Sequence, residues 1–174
     1  PNPDVENKPD QIDKCIDEGY QVEIDLRIDD KTGKLWLGHD APKYEVTWLW
    51  LTCRVRELWI HCKDYNTLIE LSSNKISKKN EDGISAVGYN FFWHQEDDYA
   101  LTSNNIIWAY PGKPDIIKSP CFQREVKNSW NENLQSKRLC KTILVLPEWK
   151  NIDWEFLKLL NCYGICTDYP EKLK

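Results

Sequence analysis

The sequence predicts an α/β fold with a largely parallel sheet. Seven extended segments alternate with helical or loop segments along the 174 residues, as is typical of strands joined by crossover connections. The segment 142–147, TILVLP, is apolar throughout, like strands that are covered on both faces in parallel sheets. With 41% hydrophobic residues, the chain can form one cored domain and is short for two. We therefore expect a single domain that spans residues 1–174.

The individual elements follow from local signals. A helix is predicted from Pro9 to Glu18, with Gly19 as its stop signal. The first strand is expected at 21–28, and a polar turn with Gly33 leads into a return strand. Further strands are predicted at 57–63, 85–94, 100–103, 105–110, 142–147 and 163–168, and further helices at 66–72 and 152–160.

The first strand carries the residues that most strongly suggest a function. Side chains at i and i+2 of a strand share a face, so Glu23, Asp25 and Arg27 should point together. Two carboxylates on one face repel each other unless a cation or a shared proton lies between them. The pair therefore indicates an oxygen-rich divalent-metal site. An alternative interpretation is that Glu23 and Asp25 form ion pairs with Arg27 and Lys63.

His39, directly before Asp40, should return to the end of the strand where the carboxylates lie. An imidazole beside two acids indicates proton transfer, although a structural histidine is the alternative.

The segment EIDLRIDDKTGKLWLGHD resembles the glycerophosphodiester phosphodiesterase family, in which Glu-x-Asp is followed by a short excursion and then His-Asp. Glu6-Asn7, with the KPDQIDKCIDEGYQ that follows, is similar to the family's Glu-Asn segment before the first helix. The resemblance implies a TIM (β/α)8 barrel whose first strand, with its His-Arg-Gly, is missing here. We expect about ten further residues before Pro1, enough for that strand.

The resemblance also implies roles for single residues. Glu23 and Asp25 match the metal-binding acids, and His39 matches the histidine that donates a proton to the departing alcohol. Lys63 matches the lysine of a Glu-x-Lys pattern, and His61 takes the place of its glutamate as third metal ligand. We expect a divalent ion, Mg, Mn or Ca ahead of Zn, although an imidazole ligand by itself shifts the preference toward Mn or Zn over Ca.

In such barrels the active site lies at the carboxyl ends of the strands. The candidates for substrate binding are therefore Arg27, Trp93, His94 and Glu148.

The predicted function is a metal-dependent hydrolase that cleaves a small-molecule glycerol or alcohol phosphodiester. Two alternatives remain open. One is a catalytically impaired barrel that keeps a phosphate pocket. The other is a barrel enzyme that acts on a sugar phosphate with Lys63 or His61 as base.

Composition excludes other classes of protein. The net charge of -5 argues against nucleic-acid binding, which requires clustered Lys and Arg. No apolar run approaches the length of about 20 residues that a membrane helix needs, and no signal peptide is visible. The seven cysteines form no CxxC pair, which favours reduced thiols and predicts a cytoplasmic protein.

Overall fold

The computed structural model describes residues 3–73, 76–80, 83–110, 119–120, 123, 140–160 and 162–174. The chain divides into two compact units. The first comprises residues 2–94 and 102–104, and the second comprises 95–101 and 105–174. Each unit has its own sheet, and the two are described separately.

The first unit combines three helices with a five-stranded sheet. Its helices are α1 (Pro9–Asp17), α2 (Trp48–Cys53) and α3 (Tyr65–Ser73). Its strands are β1 (Val22–Ile28), β2 (Leu35–Leu37), β3 (Tyr44–Val46), β4 (Leu58–Cys62), β5 (Ile76–Asn80), β6 (Gly83–Val87) and β7 (Asn90–Phe92). The sheet has the order β3-β2-β1-β4-β7. Strands β1, β4 and β7 are parallel, and β2 and β3 add antiparallel strands at one edge. Strands β5 and β6 pair with each other as a separate antiparallel hairpin.

The second unit contains a four-stranded sheet in the order β11-β10-β9-β8. Its elements are β8 (Tyr99–Leu101), β9 (Ile107–Ala109), β10 (Cys140–Val145), α4 (Trp154–Leu159) and β11 (Cys162–Cys166). Strands β9, β10 and β11 are parallel, and β8 is antiparallel to β9. The Asp153 side chain caps α4 by accepting a hydrogen bond from the backbone N–H of Glu155.

The core of the first unit lies on one face of its sheet. Ile24, Leu26 and Ile60 are fully buried there, together with Leu51 of α2 and Leu71 of α3. Because strand side chains alternate between faces, the intervening residues of β1 and β4 point away from these helices. The hydrophobic pattern that builds the core therefore also directs the polar residues of β1 and β4 to the opposite face.

The prediction of a TIM barrel is wrong. The described strands form two mixed sheets of five and four strands and a separate hairpin, and the same residues contain four α-helices instead of eight. Strand β2 pairs antiparallel with the carboxyl-terminal part of β1, so β1 has an antiparallel neighbour on one side and the parallel β4 on the other. Alternating strands and helices are common to barrels and open sheets, so the sequence pattern could not distinguish them.

Most of the predicted elements are confirmed to within about two residues at each end. The exception is the single strand predicted at 85–94. That segment is divided into β6 and β7, with the buried Tyr89 between them. Among the described residues, no helix combines the length and the apolar character that crossing a membrane requires.

We expect the core of the first unit to be sensitive to truncation. Ile60→Ala should lower the free energy of unfolding by about 2–5 kcal/mol, because Ile60 is completely buried and its loss leaves a cavity. The matched control is Ile69→Ala on α3, where the side chain is 42% exposed and the loss should stay below about 1 kcal/mol. Urea unfolding measures both, and equal losses would contradict this description of the core.

Candidate metal centre

Two carboxylates and an imidazole lie together on the polar face of the first sheet. Glu23 and Asp25 come from β1 and His61 from β4, and one potential ligand atom of each lies within 4.8 Å of the others. The parallel register places Asp25 opposite His61. This pairing ends at Leu26 and Cys62, so Asp25 and His61 lie one residue before the carboxyl end of the parallel segment, the end at which ligands bind in α/β proteins.

Asp25 is the most constrained member of the cluster. Its Oδ1 lies 3.0 Å from His61 Nδ1 and 3.4 Å from Lys63 Nζ, and its Oδ2 accepts a hydrogen bond of 2.8 Å from Asn7 Nδ2. Burial alone would raise the pKa of the carboxyl. The hydrogen bonds from His61 and Asn7, with the charge of Lys63, outweigh burial and lower the pKa to about 2. Asp25 is therefore ionised at neutral pH.

The pKa of Glu23 is shifted in the opposite direction. Burial raises the pKa of its carboxyl well above the ordinary value of 4.5, and the negative charge of Asp25 raises it further. The charge of Lys63 opposes this shift, and Glu6 adds to it. In the absence of a cation, one acid is thus ionised while its neighbour tends to keep its proton. A divalent cation between them would favour loss of that proton.

The surroundings of His61 suit a metal ligand. Its Nε2 lies 3.3 Å from the carbonyl oxygen of His94, which can only accept, so this contact assigns a proton to Nε2. The ring is also stacked on those of His94 and Phe92, with centroids at 4.4 and 5.2 Å. Metal-binding histidines commonly donate their second ring N–H to a carbonyl in this way. Nδ1 faces Asp25 Oδ1 at 3.0 Å, and a cation held by both atoms would take the place of the proton between them. Two carboxylates with one imidazole fit a divalent cation.

The backbone around His39 contacts the strand that carries the two acids, and His39 itself is not one of the three clustered residues. The N–H of Gly38 donates to the carbonyl of Asp25 at 3.1 Å, and Arg27 Nη2 donates to the carbonyl of His39 at 2.8 Å. Gly38 has a φ of 148°, and a Cβ there would collide with the carbonyl oxygen of Ala41. The imidazole of His39 is half-exposed, and its Nδ1 lies 2.8 Å from Asp40 Oδ1.

The other predicted site residues lie in different surroundings. Arg27 contacts His39, and its Nε is buried without a hydrogen-bond partner among the described residues. Trp93 is 44% exposed, and its neighbour His94 stacks on His61. Glu148 belongs to the second unit and is not one of the three clustered residues.

Glu148 has its own surroundings in the second unit. Its Oε1 accepts hydrogen bonds from Thr167 Oγ1 at 2.7 Å and from the backbone N–H of Asp168 at 2.9 Å. Its Oε2 is buried and has no hydrogen-bond partner in the described part of the chain. Burial raises the pKa of the Asp168 carboxyl, and the nearby charge of Glu148 raises it further.

Asn7 is the contact residue that the sequence analysis did not assign to the site. Its side chain makes two hydrogen bonds with Asp25, eighteen positions away. The only sequence signal was its place in the Glu6-Asn7 pair, which carries no information about a partner so distant in the chain.

A scan against protein-family models and searches of curated proteins and of solved structures found no match to this chain. The resemblance to glycerophosphodiester phosphodiesterases therefore stays a prediction.

The two acids should affect stability in opposite directions. In EDTA at neutral pH, Glu23→Gln should raise the free energy of unfolding, because the folded state no longer holds a carboxyl whose pKa is raised. This gain should vanish below pH 4.5, where the carboxyl is protonated in both the folded and the unfolded state. Asp25→Asn should cost about 2 kcal/mol, because the lowered pKa of Asp25 stabilises the fold above pH 3.8. Urea unfolding as a function of pH tests both, and effects of the same sign would contradict this assignment.

Proposed function

We propose that this protein is a metal-dependent phosphoric diester hydrolase that cleaves a glycerol or other alcohol phosphodiester. The observation that carries the proposal is the convergence of Glu23, Asp25 and His61 within 4.8 Å, with Lys63 Nζ at 3.4 Å from Asp25. The choice of a diester draws on the resemblance of the same segment to glycerophosphodiester phosphodiesterases. The cationic groups around the cluster support an anionic substrate.

Two basic side chains suit the phosphate of such a substrate. Lys63 is 15% exposed and offers a compact positive charge beside the cluster. Arg27 lies two residues beyond Asp25 in β1, and its buried Nε has a hydrogen to donate. A phosphate oxygen accepting from Nε would satisfy a buried donor that otherwise costs free energy. Trp93 and His94 are proposed to contact the alcohol portion of the substrate.

Glu23, Asp25 and His61 would hold a divalent cation, Mg²⁺, Mn²⁺ or Ca²⁺ ahead of Zn²⁺, which would neutralise charge that develops on the phosphate oxygens. Lys63 would stabilise the same developing charge. Loss of the alcohol requires a proton, because an alkoxide is a poor leaving group. A protonated His39 could supply it from Nε2 while Nδ1 stays hydrogen-bonded to Asp40.

A second candidate function is phosphate binding without turnover. It is favoured by the partners that Asp25 already has, since Oδ1 contacts His61 and Lys63 and Oδ2 contacts Asn7. In this arrangement the charge of Asp25 is compensated without a metal ion. Lys63 would then supply the positive charge of an anion site.

The cytoplasm is the proposed compartment. Among the described residues, Cys15, Cys53 and Cys62 are free thiols. Burial raises the pKa of the Cys62 thiol to about 12, so this residue stays protonated. Unpaired cysteines are typical of a reducing compartment.

Metal titration followed by an activity assay separates the two candidate functions. The full chain should bind Mn²⁺ in calorimetry and hydrolyse a glycerophosphodiester such as glycerophosphocholine. Asp25→Asn should weaken Mn²⁺ binding and lower turnover by about 100-fold or more, since even outer-shell changes cost 10- to 100-fold. Asp30→Asn, an exposed acid in the same hairpin, is the matched control and should change neither.

Each outcome of this experiment has a defined meaning. Binding of inorganic phosphate without metal uptake or turnover would support the second candidate. Absence of both metal and phosphate binding would contradict both candidates.

The role of His39 has a separate test. His39→Ala should reduce hydrolysis of an unactivated alkyl diester by about 10²- to 10⁴-fold, because the alkoxide then leaves without a proton. Hydrolysis of a nitrophenyl diester should be largely spared, since nitrophenolate is a good leaving group. Equal losses on the two substrates would show that His39 is not the general acid.

A further inference from the structure

Asn7 makes two hydrogen bonds with Asp25, one through the N–H and one through the oxygen of its side-chain amide. Its Nδ2 donates to Asp25 Oδ2 at 2.8 Å, and its Oδ1 accepts from the backbone N–H of Asp25 at 2.8 Å. This double contact fixes the carboxylate relative to its own backbone. Asn7 lies just before α1, in a segment where the N–H of Lys8 donates to the carbonyl of Val5 at 3.1 Å.

The contact with Asn7 makes the two oxygens of Asp25 unequal. Oδ2 faces Asn7, whereas Oδ1 faces His61 at 3.0 Å and Lys63 at 3.4 Å. A cation held with His61 would therefore meet Oδ1 while Oδ2 keeps its amide donor. Binding through both oxygens would put the cation and the N–H of Asn7 on the same oxygen, where the charge of the cation opposes the donated hydrogen.

The number of available oxygens matters for metal choice. Ca²⁺ takes six to eight oxygen ligands and often binds both oxygens of a carboxylate. Mg²⁺ requires near-octahedral geometry at about 2.0–2.1 Å, with carboxylates bound through single oxygens. A carboxylate limited to one oxygen therefore disfavours Ca²⁺ relative to the smaller ions.

We propose that Asn7 is a positioning residue that restricts Asp25 to one metal-facing oxygen and so makes the site selective for Mn²⁺ or Mg²⁺ over Ca²⁺. This inference rests on the proposed metal-dependent function, and narrows it to smaller divalent cations.

The residue type suits this role in two respects. Asn7 has a φ of 58°, in the left-handed region that asparagine tolerates better than most residues. A side-chain amide is also the neutral group that donates to a carboxylate while accepting from a backbone N–H. Aspartate at this position would keep the acceptor and lose the donor.

The test compares Mn²⁺ and Ca²⁺ binding by the full chain and by two variants. Asn7→Gly keeps the left-handed backbone accessible and removes the amide. Asn7→Asp tolerates the same backbone and replaces the donor with an oxygen, so it provides a second variant if the glycine variant folds poorly. Asn151→Gly is the matched control, because Asn151 is an exposed asparagine of the second unit with a φ of 52°. Circular dichroism verifies that each protein is folded before calorimetry.

We expect Asn7→Gly to bind Mn²⁺ about 10- to 100-fold more weakly, and Asn7→Asp to lose less because its added carboxylate attracts the cation. Ca²⁺ should lose less affinity, because both oxygens of Asp25 become available to it, so the Mn²⁺/Ca²⁺ affinity ratio should fall. A purely structural role would weaken both ions alike and leave this ratio unchanged.

The control Asn151→Gly should match the wild type for both ions. Suppose that the wild type binds Mn²⁺ and that the folded Asn7 variants keep its Mn²⁺/Ca²⁺ affinity ratio. This result would overturn the role of Asn7 and leave the metal-dependent function in place. A wild-type protein that binds neither ion would overturn the metal-dependent function and this inference together.

Discussion

The parallel pairing of β1 with β4 is the constraint on which the candidate site depends. It places Asp25 in register with His61, while Ile24 and Ile60 pair on the face that the helices cover. A slip of one residue would exchange the two faces of β4, moving His61 to the face that the helices cover and Ile60 to the face of Asp25. The free energy gained from the core therefore also holds the site residues in register. The site needs no separate source of stability to bring its members together.

The electrostatics of the cluster connect this geometry to a function. Asp25 is nearly inaccessible to solvent, and its charge is maintained by His61, Asn7 and Lys63. Glu23, two residues away, has no comparable set of donors in the described part of the chain, and its pKa is raised by burial and by Asp25. A site in which one acid is permanently charged and the other readily holds a proton is suited to accept a cation in exchange for that proton. Lys63, whose positive charge helps to lower the pKa of Asp25, is also the group that would meet the anionic substrate that we propose.

The sequence predicted the parts of this structure that depend on local alternation. The period-two pattern of β1 was enough to place Glu23 and Asp25 on one face, and the spacing of His61 and Lys63 did the same for β4. The sequence could not show whether the sheet is open or closed into a barrel, because closure depends on which edge strands pair over long distances in the chain. Strand β2 pairs with the end of β1, and the alternation of residues in these two strands fits an open sheet as well as a barrel. Asn7 was missed for a related reason, since its partner lies eighteen positions away and no local signal specifies it.

The central claim is that one cation can be held jointly by two carboxylates and one imidazole on the polar face of the first sheet. Crystals of the full chain soaked in Mn²⁺, with diffraction recorded at the manganese absorption edge, test this claim most directly. The account predicts one anomalous peak at about 2.0–2.3 Å from an oxygen of Glu23, from Asp25 Oδ1 and from His61 Nδ1. Manganese bound elsewhere, or an unbroken contact between His61 and Asp25 with no peak beside it, would contradict it.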